Sequence, residues 1–168
     1  MTDPSIPPDR ETSLPQESVW DYPRPPRLER AEVHLQIVFA DEILADTQDG
    51  YRVLETSHPP VYYFPPSAVV QPFFVESDHR SYCEWKGFAQ YLSVQVGSQT
   101  ANHAAWRYPN PTPDFEPIKD YLAFYPAAMD RCLVDGEIVT PQPGGFYGGW
   151  VTKNLVGPFK GVPGSTGW

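Results

Sequence analysis

The 168-residue chain is poor in three things on which small proteins often rely: cysteine, basic residues and long apolar runs. Cys83 and Cys132 are its only cysteines, too few and too far apart for a disulfide framework of the secreted kind. The opening residues Met1-Thr2-Asp3-Pro4-Ser5 show neither a basic nor an apolar leader, so the expected compartment is the cytoplasm. Lys and Arg number 12 against 21 Asp and Glu, a formal net charge of -9. The long-range field of such a chain repels polyanions and anionic lipid surfaces, and no nucleic-acid partner is expected. Apolar runs such as residues 37–40 and 61–64 are far short of the ~20 needed to cross a bilayer, and no membrane partner is expected either.

Motifs for common chemistries are missing too. His34, His58, His79 and His103 are scattered, with no Cys-x-x-Cys or His-x-x-x-His spacing, so no metal site is expected. There is no Gly-x-Gly-x-x-Gly, no Gly-x-x-x-x-Gly-Lys and no Gly-x-Ser-x-Gly, and the sequence names no cofactor. Helix signals are few. The best is Pro117-Ile118-Lys119-Asp120-Tyr121-Leu122, with Pro at a first helical position.

What the chain has in quantity is proline and aromatics. Seven of its 21 prolines fall in the first 26 residues, where they rule out helix and central strand and leave an extended arm, residues 1–30. Strict alternation then begins, with Val33, Leu35, Ile37 and Phe39 on one side of a half-buried strand. It turns at Ala40-Asp41-Glu42 and returns as a hairpin, and a near copy with an Asp135-Gly136 turn follows later, a weak sign of internal duplication. Further strands are expected at residues 51–56, 61–64, 82–96 and 131–134. A Gly-rich, aromatic tail, residues 141–168, completes the chain. A length near ~150 residues predicts one domain, and a chain of this size buries roughly 70% of its unfolded surface. The expected fold is mainly β, an α+β domain with one or two short helices on a compact antiparallel sheet or barrel-like body, the core spanning residues 31–140.

Three stretches could carry chemistry. In Leu54-Glu55-Thr56-Ser57-His58-Pro59-Pro60-Val61-Tyr62-Tyr63, a carboxylate ends an apolar strand, where desolvation would raise its pKa and suit proton transfer. The plain alternative is a Glu55 that bonds turn backbone and tyrosines that pack the core. In Cys83-Glu84-Trp85-Lys86-Gly87-Phe88-Ala89-Gln90-Tyr91, read as one extended strand, Cys83 and Lys86 point apart, and Gly87 marks a bulge or a close approach. In Ala105-Trp106-Arg107-Tyr108-Pro109, Trp106 and Tyr108 share a face and could wall a pocket or cap the core.

The order Val-Leu-Glu-Thr-x-x-Pro-Pro-x-Tyr-Tyr-x-Pro (residues 53–65), Cys-x-x-Lys-Gly-x-Ala-x-Tyr (83–91), Ala-Trp-x-Tyr-Pro (105–109) and Ala-Phe-Tyr-Pro (123–126) resembles the bacterial domain-of-unknown-function family 427, in a longer subgroup. The resemblance implies a compact β-rich fold and no established activity. It gives weight to Glu55, Tyr63, Lys86, Trp106 and Tyr108. A nucleotidyltransferase label attached to the family finds no support in the sequence, which lacks a Gly-Ser followed by paired Asp residues.

Motifs and resemblance together lead to one expectation: a β domain that holds a small polar or anionic ligand, with a capacity for proton transfer. Glu55 and Lys86 are the candidate catalytic pair; Tyr62, Tyr63, Trp106, Tyr108 and His58 are the candidate ligand-binding residues. The alternative is a non-catalytic interaction module that works through the Pro-rich arm and the Gly-rich tail. Whether the chain is an enzyme stays open, and so does a homodimer.

Overall fold

A computed structural model describes residues 14–168, and the first part of the expected arm, residues 1–13, lies outside them. In chain order the strands are β1 (Glu17–Ser18), β2 (Arg27–Ala31), β3 (Leu35–Phe39), β4 (Glu42–Thr47), β5 (Gly50–Leu54), β6 (Val61–Tyr63), β7 (Phe74–Cys83) and β8 (Gly87–Val96). They continue as β9 (Gln99–Arg107), β10 (Ala123–Phe124), β11 (Arg131–Val134), β12 (Glu137–Ile138), β13 (Thr140–Pro141), β14 (Trp150–Val151) and β15 (Leu155–Val156). The chain is mostly β, folded as one compact domain from several antiparallel sheets, and among the described residues no barrel closes, so of the two expected forms the open sheet is the one present.

Among the described residues, helix is confined to short 3-10 turns, the longest Pro113–Ile118. The helix expected over residues 117–122 does not form. The turn begins four residues earlier and Pro117 falls inside it, while Leu122 is held in an extended bridge to Phe64. Proline removes a donor wherever it stands, and the backbone bonds of the segment divide between local turns, Lys119 N–H to Glu116 carbonyl and Tyr121 N–H to Ile118 carbonyl, and distant partners, Asp120 N–H to Tyr108 carbonyl and Leu122 N–H to Phe64 carbonyl.

Two layers organise the core. The first is the sheet β12-β11-β3-β4, in which the two similar hairpins lie side by side. β3 and β11 pair antiparallel, Ile37 opposite Cys132, and both turns use left-handed residues, Ala40 and Asp41 in one and Asp135 and Gly136 in the other. Each turn is tied to the other hairpin by a carboxylate: Asp130 accepts from Ala40 N–H at 2.8 Å, and Asp135 from His34 N–H at 2.8 Å.

The second layer is a long ribbon. Sheet β2-β5-β6 and sheet β10-β9-β8-β7 meet where Phe64, just past β6, exchanges both backbone hydrogen bonds with Leu122, just before β10, at 2.8 and 2.9 Å. Because side chains alternate along a strand, this ribbon has two different faces. Tyr62, Phe64, Leu92, Val94 and Phe124 point toward Leu35, Ile37 and Leu44 of the first layer and form the main core. Tyr63, Ala89, Tyr91, Trp106 and Ala123 point the other way and form a second, more aromatic cluster with Phe115 and Ile118.

The start of the described chain is fastened by charge. Arg52 on β5 grips the Glu17 carboxylate with two N–H bonds, at 3.0 and 2.9 Å, and Tyr22 donates to the same group at 2.6 Å. Beside this clasp β1 pairs parallel with β15. Burial alone would raise the Glu17 pKa, but the bonds from Arg52 and Tyr22 and the Arg52 charge outweigh it and hold the carboxyl below its ordinary 4.5. Glu17→Gln should therefore cost about 1–3 kcal/mol in urea denaturation at pH 7, the range for disrupting a partly buried charge-assisted bond. A depressed folded-state pKa stabilises above the unfolded value and is lost as pH falls through the folded one. The gap between wild type and Glu17→Gln should accordingly narrow below about pH 4.5; a gap constant down to pH 3 would refute the clasp.

Candidate functional site

The outer face of the ribbon is where the sequence motifs converge. A cavity of about 750 Å³ opens there, floored by Tyr63, Tyr91, Trp106, Tyr108 and Tyr125. One side runs along residues 79–83 of β7, the last strand of its sheet, and the other side is the loop of residues 145–148. Lys86 stands in the wall, its Nζ 5.9 Å from the centre of the Tyr108 ring and 5.7 Å from that of Phe115. Among the described residues no carboxylate lies within ion-pair distance of this ammonium.

Lys86 reaches the cavity because residues 83–87 are a turn and not a straight strand. β7 ends at Cys83 and β8 begins at Gly87, directly opposite it, with Lys86 N–H bonded to Cys83 carbonyl at 3.2 Å. The alternation expected across this stretch is thereby broken: Cys83 and Lys86 both line the cavity, which corrects the reading that they point apart. Gly87 sits at φ +106°, a conformation that side-chain-bearing residues rarely take, and a Cβ there would lie 3.2 Å from Asn110 carbonyl. Its close approach is thus to the chain's own loop, which is fixed by Thr112 N–H to Lys86 carbonyl at 3.1 Å.

The floor is a set of rings with hydroxyl groups. Trp106 meets Tyr125 with ring centres 4.6 Å apart, and Tyr63 meets Tyr108 at 6.4 Å. Ser81 and Tyr91 share a hydrogen bond at 3.1 Å, and Tyr91 and Tyr125 a longer one at 3.4 Å. Burial is the main reason that the phenols of Tyr63, Tyr108 and Tyr125 are pushed well above their ordinary pKa, so they remain protonated donors at any physiological pH.

Four of the seven expected site residues, Tyr63, Lys86, Trp106 and Tyr108, come together here; Glu55, His58 and Tyr62 do not. Glu55 follows β5 on the other side of the Pro-Pro turn and pairs with Arg24 at 3.4 Å, so it does not form a couple with Lys86. His58 bonds Thr56 carbonyl and touches the cavity only through the ring of Tyr147, 5.3 Å away; its pKa is lowered, chiefly by burial. Tyr62 faces inward, against Trp150 at 5.1 Å, as its one-residue offset from Tyr63 requires, and burial raises its pKa to about 12. Sequence reasoning missed Ser81, Tyr91 and Tyr125 as site residues. Two of these stood in view, since Tyr91 closes the Cys-x-x-Lys-Gly-x-Ala-x-Tyr motif and Tyr125 sits in Ala-Phe-Tyr-Pro.

The second wall comes from the tail. β13 and β14 form a hairpin whose base is pinched by Gln142, which accepts from Gly149 N–H through Oε1 at 3.1 Å and donates to Lys160 carbonyl at 2.9 Å. Its tip lays Gly148 on the Trp106 ring so closely that a Cβ would overlap the indole. Gly148→Ala should displace Trp106 or the tip, at a stability cost of about 1–3 kcal/mol. In the fluorotryptophan-labelled chain, the fluorine NMR signal of Trp106, assigned by its loss in Trp106→Phe, should shift in that variant; an unmoved signal and melting temperature would show that Gly148 does not rest on the indole.

No curated protein matches the chain. Residues 27–135, more than half of it, match the family described as a domain of unknown function (DUF427), from the first residue of β2 to the turn between β11 and β12. The floor of the cavity and Lys86 lie inside the matched region and the loop of residues 145–148 lies outside it. By the extent of that match, the chain belongs to the DUF427 family.

Proposed function

We propose that the chain binds a small polar or anionic molecule in the cavity on the outer face of the ribbon, with Lys86 opposite its charge. One observation carries this reading. The chain holds 21 Asp and Glu residues, yet none of those among the described residues lines the cavity, while Lys86 does. A local patch without carboxylates overrides the global field for a small ligand, because charges beyond about 8–10 Å are largely screened at ordinary salt. The volume lies within the ~300–1,000 Å³ typical of small-molecule sites.

The reading is of binding. Proton transfer by Glu55 and Lys86 on one ligand has no support in their separate surroundings, and the protonated phenols are better placed to donate hydrogen bonds than to take up protons. The interaction-module alternative needs the arm and tail to be free for a partner. Val19 and Tyr22 of the arm and Trp150 of the tail are buried in the chain's own core, and this favours the cavity.

A thermal-shift panel of small acids, sugar phosphates and nucleotides, each with a neutral analogue, tests the proposal. A ligand at a hundred times its Kd adds about 2.7 kcal/mol, or roughly 5–10 °C for a domain of this size. Anionic members should raise the melting temperature and Lys86→Met should cancel the rise. That substitution should itself cost no more than about 1 kcal/mol, the value of an exposed cation–π contact. A panel with no anion-dependent rise in wild type would remove the proposal.

A further inference from the structure

We infer that the ligand class is an aromatic monocarboxylate, a flat one- or two-ring acid whose ring lies on the tyrosine-tryptophan floor and whose carboxylate meets Lys86. The inference rests on the binding reading above and narrows it.

Charge number comes first. Arg80 also borders the cavity and keeps its charge, but one end of its guanidinium is turned back on its own strand, Nη1 donating to Ser77 and His79 carbonyls at 2.7 and 3.0 Å. Lys86 is left as the one lysine or arginine of the lining whose charged group has no hydrogen-bonded partner among the described residues. A phosphate dianion is ordinarily met by an arginine fork, a glycine-rich loop or several backbone N–H groups, and the sequence has no such loop motif. One ammonium matches one carboxylate.

Donor type comes second. The hydroxyls of Ser81, Tyr91 and Tyr125, and the phenols of Tyr63 and Tyr108, give the lining of the same cavity neutral hydrogen-bond donors. No carboxylate of the lining competes for them. A carboxylate oxygen accepts several bonds, so it takes such donors well, whereas a ligand ammonium would find no acidic partner here.

The shape of the floor comes third. Aromatic faces dominate it, and the aliphatic contribution to the lining is small, with Val61 its one branched aliphatic residue. Area burial alone would favour any apolar body equally, but rings packed on rings gain an additional quadrupole term that a saturated ring lacks.

The experiment is calorimetric titration of the full chain with 2-naphthoate, 2-naphthamide, cyclohexanecarboxylate and phenyl phosphate. Naphthoate should bind, the amide about tenfold more weakly for want of a charge, and the saturated acid at least about threefold more weakly. In Lys86→Met, acid and amide should bind within about twofold of each other. Equal affinity of naphthoate and naphthamide for wild type overturns the carboxylate; equal affinity of naphthoate and cyclohexanecarboxylate overturns the ring. These comparisons use the unaltered chain and hold even if the variant folds poorly. If phenyl phosphate binds and naphthoate does not, the ligand class is wrong and the binding reading survives. If none of the four binds and the thermal-shift panel is also silent, both fall.

Discussion

Two backbone hydrogen bonds between Phe64 and Leu122 hold the architecture together, because they turn two short sheets into one ribbon. Both residues are almost completely buried, so neither bond has water as an alternative partner. The pairing fixes the register of β6 against β10. Once that register is set, alternation decides the rest: Tyr63 and Trp106 must face outward together, and Tyr62 and Phe124 must face the main core. A slip of one residue would exchange the cavity floor for the core.

The second constraint is Trp150. Its indole N–H donates to Phe124 carbonyl at 3.2 Å, its own N–H to Pro60 carbonyl at 2.8 Å, and its ring packs on Tyr62 and Phe64. A buried Trp with both donors satisfied is a strong anchor, since it combines large area burial with fixed geometry. It stands two residues after Gly148, so the anchor that fastens the tail to the core also sets the tip of the tail hairpin on Trp106. The family region thus supplies the floor and the ammonium, and the segment beyond it supplies a wall. In the site proposed above, a ligand would therefore meet residues that the family match does not include as well as residues that it does.

How much could be read in the sequence depends on which interactions set each element. The alternation of Leu35, Ile37 and Phe39 and the Asp135-Gly136 turn are local signals, and the structure has both the strand and the turn. Residues 83–87 read as strand because Tyr82, Trp85 and Phe88 have high β propensity, while the turn there is stabilised from outside by the loop carrying Thr112, which no local pattern reveals. Pro117 looked like a helix start because no local pattern shows the two distant bonds that follow it, Asp120 N–H to Tyr108 carbonyl and Leu122 N–H to Phe64 carbonyl. Glu55, which ends an apolar strand, and Lys86, which precedes Gly87, both read as polar candidates for one site. What separates them is Arg24, on the extended arm, which reaches Glu55 and leaves Lys86 without a carboxylate. Site membership here was decided by pairing between distant segments, and a single sequence does not display that.

Charge gives the final step. An acidic chain keeps polyanions away at long range, and it needs its few cations paired to fold quietly; Arg24, Arg27, Arg30, Arg52 and Arg107 all meet carboxylates. Lys86 is an exception that has a place in the fold: an aromatic wall stabilises its ammonium through ring faces without neutralising it. Were a carboxylate there instead, the cavity would be satisfied and closed to anions. A cation held by rings keeps its full charge available while avoiding the cost of an isolated buried ion, because the cavity mouth still admits water. That arrangement would suit the proposed site, in which a single negative group of a ligand meets the lysine beside the aromatic residues.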